Sequence, residues 1–384
     1  MNDLQSITSN LQPLVIAAGT FDGVHLGHQA LLTRAQEEAE RLGGEAVVVT
    51  FDRHPLSLLK PDLAPKLLTS TAQKVEFFKK YGVEKVLLIP FNEALAAMPA
   101  ETFIQNLVDF FRNSTNTAKC GVAPVFGASS MLYTLNSCAP SIDSLAPARL
   151  TPMGLFETSS RSLSRGLPTT GIPCTSSVSA SLERSLVSGK MVKAFCVGAA
   201  WSFGQGAQGN LSLLRHMGEE LGFSVISITP VQVAGSSVSS TRIRHLTATG
   251  HLQEAAKCLG RPYTFRGMVV KGAKLGKKLG FPTANLSMPS IQLPPDGVYA
   301  VYAMVEGRRY LGVANIGFRP TIDSTNVRVV EVHLFDFNGD LYNQEVTLEP
   351  ITYLREEKHF LSLEDLQKQI QCDIEIVQSQ LHSD

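Results

Sequence analysis

Along the first 111 residues the hydrophobic positions switch repeatedly between a strand-like run and a helix-like stripe. Leu14–Ala18 is a short apolar run, the length of a buried strand, and the turn Gly19-Thr20-Phe21-Asp22-Gly23 ends it. A helical stripe follows from about Leu26 to Leu42. Ala46–Phe51 is β-rich, Thr71–Tyr81 is amphipathic, Val83–Ile89 reads as a strand and Ala100–Phe111 as a helix. Strands alternating with helices predict a parallel sheet in a doubly wound, Rossmann-like domain.

From about 113 to 190 the periodicity stops. Nearly a third of these residues are Ser or Thr, with interspersed Gly and Pro, a composition of loop or disorder. The alternation resumes with strands at Val192–Val197 and Ser224–Thr229 and helices at Leu211–Leu221 and Ser240–Thr249. The stretch is therefore expected to be an insertion in one α/β domain, 13–260. It joins a helix to a strand, so it should lie at the amino edge of the sheet, away from bound ligands, and be dispensable.

Beyond Tyr263 the runs become short and β-rich: Phe265–Lys271, Val298–Val305, Tyr310–Ile316, Val329–Phe335 and Glu345–Ile351. Turn sequences such as Pro294-Pro295-Asp296-Gly297 separate them, which predicts a small β-barrel over 261–382. Ser362 and Asp365 then form a capping box ahead of the stripe Leu366, Ile370, Ile374 and Val377, a closing helix. The fold class expected is α/β plus β.

Composition narrows the chemistry. Hydrophobic residues make up 44% of the 384, charged residues 18%, and the formal net charge is zero. No broad positive field invites nucleic acid, so phosphate groups must be bound by local sites. Six scattered cysteines without a CxxC pair argue against a disulfide framework or zinc knuckle. With no signal peptide or membrane-spanning run, a cytoplasmic protein with reduced thiols and no membrane partner is expected.

Gly19 to His28 reads GTFDGVHLGH and sits where the first strand turns into a helix. At the carboxyl edge of such a sheet, free N–H groups and the helix dipole favour an anion. His25 and His28, three apart, share one side of the first helical turn. Both can donate to a phosphate and stabilise charge on an α-phosphate as pyrophosphate leaves. Ser239-Ser240-Thr241-Arg242-Ile243-Arg244 opens a later helix with hydroxyls and guanidinium groups suited to phosphate. Thr50-Phe51-Asp52-Arg53-His54-Pro55 ends the second strand on the same edge.

These motifs resemble the FMN adenylyltransferase domain of bacterial bifunctional riboflavin kinase/FAD synthetases, an HxGH nucleotidyltransferase branch. The resemblance implies that Gly19, Phe21, Asp22, Gly23, His25 and His28 contact ATP. It also implies that His54 lines the pocket and that Ser240, Thr241 and Arg244 hold the triphosphate. Arg53 departs from the family's TFxPHP. A second departure is Ala200 in Gly198-Ala199-Ala200-Trp201-Ser202-Phe203-Gly204, where the family carries Asn or Asp. Loss of one polar contact can cost on the order of a hundredfold in rate, so adenylyl transfer is expected to be the weaker activity.

In the C-terminal part, Gly272, Gly276 and Lys277 precede Leu279-Gly280-Phe281-Pro282-Thr283-Ala284-Asn285. Clustered glycines let backbone amides wrap a phosphate, and Thr283 and Asn285 offer oxygens to Mg²⁺. Glu331 alternates with Val330 and Val332 on a strand and is placed to act as a general base. The whole of 261–380 resembles the riboflavin kinase module. That implies ATP and Mg²⁺ at Thr283 and Asn285, and Glu331 activating the ribityl 5′-hydroxyl. Arg355 and Phe360 match positions near the flavin. Lys277 stands where the family has Arg, keeping the charge without the fork.

The expected partners are thus riboflavin, FMN and ATP, with FAD the final product. Two other readings compete. Gly204-Gln205-Gly206-Ala207-Gln208-Gly209 is a literal GxGxxG, as in nicotinamide dehydrogenases, but Ser224–Thr229 ends without the acidic residue that holds the ribose. A flavin- or nucleotide-binding protein with lost or weakened adenylyl transfer is the other.

Overall fold

The computed structural model describes residues 11–112, 131–134, 189–272, 276, 280–288, 290–319 and 327–381. The first domain runs β1 (Gln12–Ala18), α1 (Leu26–Arg41), β2 (Glu45–Phe51), the one-turn α2 (Leu56–Leu59), α3 (Thr71–Lys80) and β3 (Lys85–Ile89). It continues through the one-turn α4 (Glu93–Ala96), α5 (Ala100–Arg112), β4 (Met131–Thr134), β5 (Lys190–Gly198), α6 (Leu211–Leu221) and β6 (Ser224–Ile228). A two-residue hairpin, β7 (Gln232–Val233) and β8 (Ser236–Ser237), leads to α7 (Ser240–Ala248) and α8 (Leu252–Leu259).

The strand order is β4-β3-β2-β1-β5-β6. β1, β2, β3, β5 and β6 are parallel, and β4 joins the edge antiparallel to β3. Alternate residues of the central β1 feed two separate cores, Leu14 and Ile16 on one face and Val15 and Ala17 on the other. The strand order, not the chain direction, reverses at β1: β2 and β3 extend the sheet on one side and β5 and β6 on the other. The carboxyl ends of β1 and β5 are therefore the switch point where ligands bind, and the HxGH turn leaves β1 there.

Helix ends follow the sequence closely. Ser70 and Gln73 form a capping box at α3, Asn210 caps α6, and Gly222 (φ 83°) ends α6 in the left-handed conformation that glycine adopts without strain. Several elements lie outside the periodicity, among them the short α2, α4, β7 and β8. The stretch 113–190, expected to be loop or disorder, contains β4 and ends with Lys190 already in β5. A four-residue strand is too short to show a period, and its order comes from its partner β3. The remainder of that expectation lies outside the described residues. α8 and the barrel strand β10 described next also lie outside the periodicity.

The second domain is a closed barrel of β9 (Phe265–Val270), β10 (Ala284–Ser287), β11 (Gly297–Val305), β12 (Arg308–Arg319), β13 (Val327–Leu334) and β14 (Glu345–Arg355), in the order β10-β13-β12-β11-β14-β9. α9 (Leu363–Leu381) closes it: Ser362 accepts from the Asp365 N–H, and Ile374 and Val377 pack against Ala300 and Phe335. The barrel shares one core with the first domain, in which Leu68, Ile243, Leu246 and Leu259 join Tyr263, Phe265, Ile291 and Leu293. Leu67 pairs its backbone with Ser290 and Gln292, and Arg266 forks onto Glu76 at 2.7 Å through both terminal nitrogens.

Candidate active sites

His25 is the N-cap of α1. Its Nδ1 accepts from the His28 N–H at 3.3 Å, and the two rings stack with centroids 3.7 Å apart. A neutral ring with Nδ1 accepting carries its proton on Nε2, so Nε2–H is left to donate outward. Burial, then the charges of Arg261 and Arg244, pushes the His25 pKa down to about 4. Burial, then His25 and Lys74, lowers His28 well below its usual range. Both rings are neutral donors at pH 7. Nδ1 of His28 is buried and has no hydrogen-bond partner, an atom that a ligand or water would satisfy.

The turn ahead of them is held in an unusual shape. Phe21 (φ 51°), Gly23 (φ 81°) and Val24 (φ 38°) all lie in the left-handed region. A side chain at Gly23 would also collide with Leu68 at 2.8 Å. Strained residues persist where their surroundings over-determine them, and here they do. Asp22 Oδ1 accepts from the N–H groups of Leu68 and Thr69, and Thr69 Oγ1 accepts from Gly23 N–H at 3.0 Å. Asp22 Oδ2 pairs with Arg244 at 3.1 Å, and Ser240 Oγ donates to the Asp22 carbonyl at 2.9 Å. The N-termini of α1 and α7 thus meet over one turn. Ser239 rather than Ser240 caps α7, Thr241 is exposed, and Gly19 lies between β1 and the Phe21 ring.

His54 is partly buried and its pKa is lowered by burial and then by Arg244, with Asp22 opposing, so it shares the field of the same cluster. Lys74, which belongs to no motif, lies here too. It is buried, and its Nζ donates to the carbonyls of Thr20 and Phe51, at 3.4 and 3.2 Å, tying the ends of β1 and β2. Burial brings its pKa down to about 8 against the pull of Asp22 and Asp52. The signal was legible: Lys74 stands four residues before the buried Phe78, where the helical period places an apolar side chain.

In the barrel, strand register assembles the second site. Asn285 of β10 lies opposite Glu331 of β13, which lies opposite Asn315 of β12. Val330 and Val332 point into the core and Glu331 out of it. The glycines sit on the proposed ligands. A Cβ at Gly272 would fall 2.2 Å from the Asn285 amide, and one at Gly276 would meet Thr283 Oγ1 at 3.1 Å. A groove lined by Lys271, Asn285, Ser287 and Arg328 opens beside them. Lys277 lies outside the described residues. Arg355 is committed to α9, forked onto the buried Asp373 at 2.8–3.1 Å, with the Phe360 ring 6.0 Å from its guanidinium carbon. Glu357, which no motif signalled, accepts from Asn315 Nδ2 at 2.7 Å and brings the 355–360 segment beside the Glu331 strand.

Comparison with known proteins separates the same two halves. Residues 259–381 match the riboflavin kinase family, and 7–127 with 176–242 match the FAD synthetase family. The bifunctional riboflavin kinase/FMN adenylyltransferase of Pseudomonas fluorescens is 31% identical over 369 residues, covering 95% of this chain and 93% of its own. That of Escherichia coli K12 is 31% identical over 360 residues, covering 94% and 90%. The chain belongs to the bifunctional riboflavin kinase/FMN adenylyltransferase family. A crystal structure described as a macrolide-efflux protein from Streptococcus pneumoniae shares the fold, with a TM-score of 0.65, 25% identity and coverage of 97% and 96%. No helix among the described residues is long and apolar enough to cross a membrane.

As a member of the riboflavin kinase/FMN adenylyltransferase family, the chain is a transferase with two activities that use ATP. The dehydrogenase reading falls. Gly204 is pressed on the Ala100 backbone and Gly209 on the Phe203 ring, while Asn210 already caps α6. Those glycines serve packing. Ala200 lies two residues beyond β5, exposed on the carboxyl edge beside the end of β1.

Proposed function

We propose that each activity has its own site in this chain: adenylyl transfer at the β1–α1 turn, and riboflavin phosphorylation on the outer face of β10 and β13. The stacked, neutral His25–His28 pair at the switch point carries this reading. ATP would lie with its phosphates against the N-termini of α1 and α7, received by Gly23, His25, His28, Ser240, Thr241 and Arg244, with Gly19, Phe21 and Asp22 shaping the turn and His54 beside it. The FMN phosphate oxygen attacks the α-phosphorus, the bond to the β-phosphate breaks, and pyrophosphate leaves. No proton has to move. Neutral N–H donors suit that step, because they stabilise the growing charge without binding the free phosphates as a cation would.

At the barrel, Glu331 takes the proton of the ribityl 5′-hydroxyl while its oxygen attacks the γ-phosphorus and ADP departs. Thr283 Oγ1 and the Asn285 amide oxygen are hard donors, and the side-chain-free glycines leave room for phosphate above them, a donor set that fits Mg²⁺. When bound, Mg²⁺ would neutralise charge on the phosphates. Arg355 supports this site through α9, and Phe360 sits at its flavin end. The setting is cytoplasmic. Ala200 at the carboxyl edge favours adenylyl transfer as the slower step.

The test is to incubate the purified full-length chain with riboflavin, ATP and Mg²⁺ and to separate the flavins over time. FMN should accumulate first and FAD follow, and EDTA should stop both. FMN without FAD would reduce the chain to a kinase; neither product would overturn the reading.

A further inference from the structure

The segment between the two domains reaches back into the first site. α8 ends at Gly260 (φ 69°), whose missing side chain leaves space for Leu26 of α1, since a Cβ there would meet Leu26 at 2.8 Å. Gln29 Nε2 bridges the carbonyls of Val24 and Leu259, 2.8 Å from each. Arg261 then lays its guanidinium over the Phe77 ring at 3.8 Å. Its Nη2 donates to the Gly23 carbonyl at 2.7 Å and its Nη1 to the Val24 carbonyl at 3.2 Å. These are the two carbonyls immediately before His25. They are 237 and 238 residues away in sequence, and the gripping residue lies in the stretch that matches the riboflavin kinase family, not the FAD synthetase family.

We propose that Arg261 is a positioning residue for adenylyl transfer: from the kinase half of the chain it fixes the peptide planes that open α1 beneath the ATP phosphates. This rests on the reading of the His25–His28 turn as the adenylyl site.

The physical reason is peptide planarity. In a trans peptide the N–H points opposite to the C=O. Holding the Gly23 and Val24 oxygens therefore fixes the N–H groups of Val24 and His25 on the opposite side. Val24 N–H closes the turn onto the Phe21 carbonyl at 3.2 Å, and His25 N–H is aimed away from the guanidinium at the start of the helix. Charge-assisted bonds to the carbonyls also polarise these peptides and strengthen their donors. The turn has three left-handed residues in four and would relax without this grip. Arg261 also contributes to keeping His25 neutral, in concert with burial and Arg244.

The test uses Arg261→Lys and Arg261→Ala in the full chain, assayed separately for FMN phosphorylation and for FAD formation from supplied FMN. A misplacement of catalytic groups by about an ångström can cost on the order of a hundredfold. FAD formation should fall about that far in kcat, with KM for FMN little changed and the kinase rate of the same sample within twofold. Lysine, with one nitrogen, should not restore it, whereas added guanidinium should partly rescue Arg261→Ala. If FAD formation stays within threefold, or both activities and the melting temperature fall together, Arg261 is only a structural contact. Should Arg261→Ala be insoluble, Arg261→Lys alone decides by the ratio of the two rates. His28→Ala separates the two levels: intact FAD formation there sinks the site assignment. Its loss beside a normal Arg261→Lys sinks this inference alone.

Discussion

The two sites are ordered by different means. At the β1–α1 turn the groups come from far apart and meet through buried side chains. Asp22 reaches Arg244 across 222 residues, and Lys74 joins two strand ends from a helix. In the barrel, Asn285, Glu331 and Asn315 stand side by side because three strands are in register. A backbone ladder tolerates most single side-chain changes. A buried polar network does not, because each lost partner leaves another group unsatisfied. The adenylyl site should therefore be the more fragile, to substitution and to acid alike.

Asp22→Asn strikes that network hardest. The amide keeps an acceptor for Leu68 and Thr69 but leaves the mostly buried Arg244 without its counter-charge. Removing one partner of a buried pair costs about 3–5 kcal/mol. Urea melts should show a loss of that order, with FAD formation failing while folded protein still phosphorylates riboflavin. Equal loss of both activities per folded molecule would erase the contrast.

Acid should act in the same direction. His25 is held at about 4 when folded against an ordinary 6.5, so between those values the unfolded chain binds more protons and stability rises with pH. The contribution is complete above pH 6.5 and is lost as the pH falls through 4. It amounts to about 3 kcal/mol. His25→Asn should flatten the pH dependence of the melt by about that much between pH 7 and 4. An unchanged slope would mean that His25 is not neutral in the fold.

Ala200→Asn should sharpen the comparison from the other side. Restoring a polar group on the carboxyl edge should speed FAD formation about tenfold with the kinase rate unchanged. The smallest effect is expected from removing 136–175. That segment falls wholly between the two stretches matched by the FAD synthetase family, and its removal spares β4. Shortening a long connection changes closure entropy only by about 0.6 kcal/mol per halving. Both rates should stay within threefold, and a larger loss would make the segment part of the first site.

Much of this arrangement was legible in the residues. Periodicity placed β1, α1, β2, α3 and α6 to within two residues, because each has an apolar face and a cap or a glycine at its end. The HxGH turn could be placed on the sheet edge because strand-to-helix turns of parallel sheets lie there. What stayed hidden depended on contacts across the fold. Arg355 looks like any strand-end arginine until α9 brings Asp373 to it. Arg261 gains meaning only when the domain junction arrives beside the β1–α1 turn, whereas Lys74 left one trace, a charge on the apolar side of α3. β4 has no period to read, since its order is borrowed from β3.

The central claim is that one chain carries two independent sites, and the most direct measurement is a pair of substitutions read in both half-reactions. His28→Ala should abolish FAD formation from supplied FMN and leave riboflavin phosphorylation at its normal rate. Glu331→Gln should lower riboflavin phosphorylation by about a hundredfold or more and leave adenylylation of supplied FMN unchanged. Loss of both reactions in either variant, with the protein still folded, would contradict two separate sites.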